Sequence, residues 1–171
     1  MSEFSRMIDP RRIEARPYRL EANEAERAAL AERFGLVAIG RLEAQVELER
    51  DGEAVDATGE LEAEIVQSCA VTGEDLPVDI AESMTLRFVP EARRAVAEGE
   101  EIELEEDELD EITFGGNVFD LGEAVAQSLA LAIDPYATGP EADRVREEVG
   151  LDDEKPQGPL AEALSALKKD D

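Results

Sequence analysis

The chain has 171 residues, of which 44 are acidic, 17 are basic and none is histidine, so its formal net charge is −27. A field of this sign repels phosphate backbones and disfavours sequence-independent binding to nucleic acid, whereas it attracts basic proteins. No apolar run approaches the roughly 20 residues that a membrane span needs, and one cysteine cannot form an internal disulfide. These features predict a cytoplasmic protein with no membrane partner.

The first predicted helix lies between Asn23 and Gly35. Asn23 belongs to the residue types that cap helices, and Glu26 occupies the position from which a side chain reaches back to the cap. Gly35 can adopt the left-handed conformation that ends many helices. An extended basic stretch precedes this helix, with arginines at Arg11, Arg12, Arg16 and Arg19.

Three consecutive segments then alternate apolar and polar residues with a period of two, which is typical of half-buried strands. Their apolar sets are Leu42, Ala44, Val46 and Leu48; Leu61, Ala63 and Ile65; and Leu76, Val78, Ile80, Met84, Leu86 and Phe88. Asp51-Gly52 and the segment from Val71 to Asp75 provide the turns. The pattern predicts an antiparallel β-meander with one packed face and one acidic face, and closure into a barrel stays open as an alternative.

A dense acidic block follows, because ten of the fourteen positions from Glu98 to Glu111 are carboxylates. Such a block repels itself, so we expect a long mobile loop at residues 98–111. Ile102, Leu104, Leu109 and Ile112 interleave with the acids and would suit a short strand at the sheet edge. The carboxylates that we predict to bind a partner are Glu101, Glu103, Glu105, Glu106, Asp107 and Glu108.

The segment that begins at Asp120 predicts the second helix. Asp120 can cap it with Glu123 completing a capping box, an apolar stripe includes Leu121 and Leu129, and Pro135 ends it. We therefore expect an α+β fold in which one or two helices pack on the meander. Residues 1–135 would form a single domain, and residues 136–171 a partly flexible tail with a short docking helix at 159–169. That helix would contact a partner through Leu160, Leu164, Leu167 and Lys168.

The residues that could support catalysis or bind a metal are few. Cys69 has no histidine as a base, and we expect the nearby Glu74 and Asp75 to raise the pKa of its thiol. A tetrahedral zinc site requires more Cys or His ligands than this chain provides. The sequence therefore predicts no catalytic residue, no metal and no cofactor, and it predicts that Cys69→Ser keeps function intact.

Three stretches together resemble the YceD-like family, the large ribosomal RNA subunit accumulation proteins. They are CAVTGEDLPVDIAESMTLRFVPEA, VFDLGEAVAQSLALAIDP and the C-terminal GPLAEALSALKK, which are similar to the family's two-strand turn, its D-L helix and its terminal N-P-F-x-x-L-x-x-L-K signature. The resemblance extends from about residue 60 to residue 169. Thr72 and Leu160 stand where the family has a second turn cysteine and a phenylalanine.

The resemblance implies a non-enzymatic ribosome biogenesis factor that supports accumulation or processing of large-subunit ribosomal RNA. With the charge of −27, it leads us to expect a basic ribosomal or assembly protein as the partner, with ribosomal RNA contacted indirectly. As the alternative, the N-terminal arginines would bind RNA directly. The sequence leaves the oligomeric state open.

Overall fold

One long, mostly antiparallel sheet dominates the architecture. The computed structural model describes residues 2–91 and 110–149. The strands are β1 (Met7–Ile8), β2 (Tyr18–Glu21), β3 (Ala38–Asp51), β4 (Ala54–Ser68), β5 (Asp75–Pro90), β6 (Asp110–Phe114) and β7 (Phe119–Asp120). The helices are α1 (Glu24–Phe34), α2 (Leu121–Ala132) and α3 (Ala142–Val149), with a short 3-10 helix at Pro10–Arg12.

The predicted meander forms the centre of this sheet, whose strand order is β2-β3-β4-β5-β6. β3, β4 and β5 are consecutive and antiparallel, and the turns at Gly52 and Gly73 place both glycines at positive φ, +62° and +72°. β2 and β6 lie at opposite edges and do not pair with each other, so the sheet is not closed into a barrel. The α+β prediction is confirmed, with an open sheet.

Helix α1 begins and ends as the sequence predicts. The Asn23 side chain accepts a hydrogen bond from the Glu26 N–H at 3.0 Å, and the Glu26 carboxylate accepts one from the Asn23 N–H at 2.8 Å. Gly35 adopts the left-handed conformation and ends the helix. The helix therefore reaches the sheet with its first and last turns capped, and it buries Leu30 and Ala31.

Helix α2 packs on the inner face of the sheet beside α1. Its apolar stripe is buried, with Val125 and Leu129 both at 0% exposure. The Asp120 carboxylate caps the helix by accepting from the Glu123 N–H at 3.1 Å. The predicted capping box is only half formed, because the Glu123 carboxylate accepts from Arg33 at 2.7 Å instead of turning back to the cap.

Residues 2–8, which we call the N-terminal strap, connect the two helices. Phe4 is fully buried, and β1 at the end of the strap pairs with β7. Arg6 forms an ion pair with Glu26 of α1 at 2.8 Å. Arg33 of α1 pairs at 2.7 Å with Glu123 of α2 and at 2.9 Å with Glu3 of the strap. The strap thus joins the start of α1 to the start of α2.

The predicted acidic loop and tail are described only in part. Asp110 and Glu111 belong to β6, which pairs with β5 in parallel, so the short edge strand is confirmed. Residues 98–109 and the docking helix at 159–169 lie outside the described residues. The first part of the tail is described through α3, and its Ala142 is 1% exposed. The domain boundary at 135 stays a prediction, and no described helix is long and apolar enough to cross a membrane.

Gly59 of β4 lies opposite Val46 of β3, with no space for a side chain between the two backbones. A Cβ at this position would overlap the backbone oxygen of Gln45 and lie 2.8 Å from the Cα of Val46. We expect Gly59→Ala to lower the free energy of unfolding by about 1–3 kcal/mol, because the two strands would have to separate. Urea denaturation followed by circular dichroism measures this loss.

Gly40 of β3 provides the matched control. Its added Cβ would meet Glu64 at 3.7 Å, an ordinary van der Waals contact, and its φ lies outside the left-handed region. Gly40→Ala should therefore leave the free energy of unfolding within about 0.5 kcal/mol of the parent. Equal losses for the two variants would contradict the steric argument.

The Arg33–Glu123 pair predicts a specific pH dependence. The guanidinium of Arg33 lowers the pKa of the Glu123 carboxyl from 4.5 to about 2. Since the pKa is lower in the folded state, the pair stabilises fully above about pH 4.5, and this stabilisation is lost as the pH falls towards 2. The difference in unfolding free energy between the parent and Glu123→Gln should shrink across this range. Glu32→Gln, at an exposed carboxylate of α1, should show no such change.

Candidate functional site

The outward face of β3, β4 and β5 carries carboxylates opposite one another. The register places three like-charged pairs directly across neighbouring strands: Glu43 with Glu62, Glu64 with Asp79, and Glu49 with Asp56. Like charges in this arrangement destabilise a sheet by a few tenths of a kcal/mol or more per pair. This face therefore concentrates negative charge at a cost to the fold.

Arginines offset part of that charge. Arg41 of β3 contacts two carboxylates of β4, Glu62 and Glu64, both at 3.1 Å, and lies 3.9 Å from Glu43 of its own strand. Arg87 donates to Asp51 and Asp56, both at 2.6 Å. The hydrogen bond to Asp51 is the main reason why the pKa of Arg87 is raised above its ordinary value.

A polar groove of about 660 Å³ runs over this face, and we call it the acidic groove. Its charged lining consists of Glu43, Glu47, Glu60 and Glu62 with one arginine, Arg19. Arg19 donates to Glu43 at 3.3 Å. Among the described residues Glu47 and Glu60 form no ion pair, so the groove keeps an excess of negative charge that guanidinium and ammonium groups can neutralise.

The strand alternation predicts the acidic face in general, but not these four glutamates as a group. They come together because the turn at Gly52 aligns β3 with β4. The partner-binding residues that the sequence predicts, Glu101, Glu103, Glu105, Glu106, Asp107, Glu108, Leu160, Leu164, Leu167 and Lys168, lie outside the described residues. Their role stays a prediction.

The N-terminal arginines of the RNA-binding alternative are largely paired, and they lie in the 3-10 helix (Arg11 and Arg12), in the segment before β2 (Arg16) and in β2 (Arg19). Arg11 pairs with Asp9 at 3.0 Å, and Arg16 pairs with Glu14. Arg19 is held by Glu43 in the acidic groove. Three of the four guanidiniums therefore already have a carboxylate in place of the phosphate that RNA would offer.

Cys69 lies buried at the start of the β4–β5 turn, with 4% of its surface exposed. Its Sγ accepts hydrogen bonds from the Gly139 N–H at 3.3 Å and from the Thr72 N–H at 3.4 Å. The pKa of the thiol is lowered from 9.0 to about 7, mainly by a side-chain hydrogen bond from Thr72.

The expectation that Glu74 and Asp75 raise this pKa is wrong. Donors in contact with the sulfur determine the direction of the shift, whereas the two carboxylates are partly or fully exposed and are screened by solvent. The chain has no histidine that could act as a base for this thiol. In residues 2–91 and 110–149 no three Cys, Asp or Glu side chains converge as metal ligands would.

Comparison with known families gives a match over the second part of the chain. The model of a family described as "Large ribosomal RNA subunit accumulation protein YceD" matches residues 57–168, which is more than half of the chain. The matched segment includes most of β4, all of β5 and both α2 and α3. Comparisons with curated proteins and with solved structures give no match.

The Cys69 environment yields a direct test. Thr72→Val removes the side-chain donor that contributes most to the shift, so the pKa of the thiol should rise from about 7 towards the ordinary 9.0. Thiolate absorbance near 240 nm reports this titration, and the single cysteine makes the assignment unambiguous. Cys69→Ser, which has no thiol, gives the background absorbance to be subtracted. An unchanged midpoint in Thr72→Val would show that Thr72 does not act on the sulfur.

Proposed function

This protein belongs to the YceD family of large ribosomal RNA subunit accumulation proteins, and from that premise we propose that it supports ribosome biogenesis by binding a basic ribosomal or assembly protein. The family name implies a role in the accumulation of large-subunit ribosomal RNA. The binding step is our addition. It is supported by one observation, the acidic groove on the outward face of the sheet.

The charge distribution of the groove favours a basic protein. Four carboxylates face a single guanidinium there, and Glu47 and Glu60 have no ion pair among the described residues. Lysine and arginine side chains of a ribosomal protein would replace water and counterions around these groups. Such a partner would also relieve the repulsion between Glu43 and Glu62, which lie opposite each other across β3 and β4.

Indirect contact with ribosomal RNA follows from the same charges. Ribosomal proteins bind RNA through basic surfaces, and an acidic protein that covers such a surface competes with phosphate for it. In this proposal the protein binds its partner in the cytoplasm before or during assembly, and the partner contacts the RNA. The acidic block at 98–111 and the docking helix at 159–169 would extend the contact.

No catalytic step is part of the proposal. The family description names accumulation of an RNA and not a reaction. Cys69, although its thiol pKa is lowered to about 7, is buried, and the chain has no histidine to activate it. We keep the prediction that Cys69→Ser retains function.

The proposal predicts that the double variant Glu47→Gln/Glu60→Gln folds normally but binds its partner less tightly. Removal of two unpaired charges should weaken binding roughly 5- to 30-fold and lower the salt concentration at which basic proteins elute from the tagged protein. In a deletion strain this variant should restore less large-subunit ribosomal RNA than the parent. Sizing of ribosomal subunits on a sucrose gradient measures the restoration.

The matched control is Glu32→Gln/Glu147→Gln, which changes the net charge equally on the helices α1 and α3. Both side chains are exposed, and neither forms an ion pair among the described residues. This control should restore the large subunit fully. If both double variants behave alike, net charge and not the groove determines binding. Normal large-subunit levels in the deletion strain itself would refute the function.

A further inference from the structure

Within the described part of the chain, β5 has a long edge without a pairing partner. It pairs with β4 over residues 75–88, but with β6 only over residues 86–90. Among the described residues nothing pairs with the opposite edge of β5 between Asp75 and Thr85. A strand with an unpaired edge of this length is a template for the addition of another strand.

The register shows which backbone groups face that edge. The Cys69 N–H donates to the Glu74 oxygen at 2.7 Å, so even-numbered residues of β5 exchange hydrogen bonds with β4. Pro77 agrees with this assignment, because its nitrogen has no proton to donate to β4. The N–H and C=O groups of Asp79, Ala81 and Ser83 therefore point to that edge.

The two sides of the edge differ in character. On the inner side, a groove of about 220 Å³ separates the edge from α2. Its lining includes the apolar side chains of Met84, Leu131 and Ala132 and the carboxylates of Glu82 and Asp110. Leu131 is 84% exposed there, although it is a large apolar residue on the helix that packs against the sheet. In a strand added at this edge, every second side chain would point to the inner side and could cover Leu131.

On the outward side, the same edge carries one carboxylate, Asp79, between the uncharged residues Pro77 and Ala81. Asp79 lies on β5 directly opposite Glu64 of β4. Side chains of an added strand on this face would lie about 5 Å from those of β5. A second copy of this chain would bring its own Asp79 and Glu82 to the edge, so repulsion disfavours pairing between two copies, whereas lysine or arginine would pair with Asp79.

We propose that the edge of β5 from Pro77 to Thr85 receives an extended segment of a basic protein as an additional strand. In that segment basic residues on the outward face alternate with apolar residues that contact Leu131. The inference rests on the proposed function for the basic character of the partner. It adds a binding mode in which backbone hydrogen bonds, and not charge alone, hold the partner.

The probe is a capped peptide of alternating lysine and valine, about eight residues long. On addition of this peptide, the amides of Asp79, Ala81 and Ser83 should become protected from hydrogen exchange, as measured by NMR. Two further peptides carry N-methyl groups either on all lysine or on all valine amides. Strand addition predicts that one methylated peptide binds about tenfold more weakly and that the other binds like the parent peptide.

Variants at Ala81 provide the matched pair. Ala81→Pro removes an edge-facing N–H in the same strand and orientation as the natural Pro77, whereas Ala81→Val keeps the N–H. Ala81→Pro should bind the unmodified peptide about tenfold more weakly than Ala81→Val. The methylated peptides test the parent protein and so do not depend on the folding of either variant.

Three results would overturn the inference: equal binding of both methylated peptides, no protection of the three amides, or protection of them by self-association without peptide. None of these bears on the proposed function, since a basic partner could still bind the acidic groove. Conversely, strand addition without any large-subunit defect in the deletion strain would support the inference and refute the proposed function.

Discussion

The register between β3 and β4 is set at the turn around Gly52, where Asp51 lies opposite Ala54. Each step away from this turn places an inward residue opposite an inward residue and an outward residue opposite an outward one. Val46, Leu61 and Ile65 thereby reach the core beneath α1 and α2. The same alignment brings Glu43 opposite Glu62, so a shift by one residue would destroy the core and the acidic groove together.

The sheet tolerates an acidic face because its other face is apolar and is buried by the helices. The free energy gained by that burial outweighs the repulsion among carboxylates that remain in water. Arg41 and Arg87 reduce the repulsion locally, while the centre of the groove keeps its excess charge. A surface of this kind selects against phosphates and acidic proteins, because its negative potential repels them.

The sequence predicts the parts of the fold that depend on local periodicity. The caps at Asn23 and Asp120, the three long strands and the acidic face follow from spacing and turn chemistry within short windows. The position of the acidic groove could also have been predicted, because the Asp51-Gly52 turn fixes which glutamates of β3 and β4 lie opposite each other.

By contrast, the pairing of Glu123 with Arg33 joins residues 90 positions apart, and no local pattern indicates it. The parallel direction of β6 also depends on a distant segment. The same holds for the hydrogen bond from the Gly139 N–H to Cys69, so the direction of the Cys69 pKa shift could not be derived from the residues next to it in sequence.

The N-terminal strap has a consequence for the order in which the chain can complete its structure during synthesis. Phe4 is synthesised before α2, yet it is fully buried and its backbone lies against Gly122 in the first turn of that helix. Until the ribosome has released that element, β1 lacks β7, and Phe4 lacks the cover that α2 provides. Contacts of such sequence separation form late, because a long loop must close before they contribute. The strap is thus synthesised well before α2 but reaches its native contacts only after α2 is available, and native burial of Phe4 marks a chain whose synthesis has passed α2.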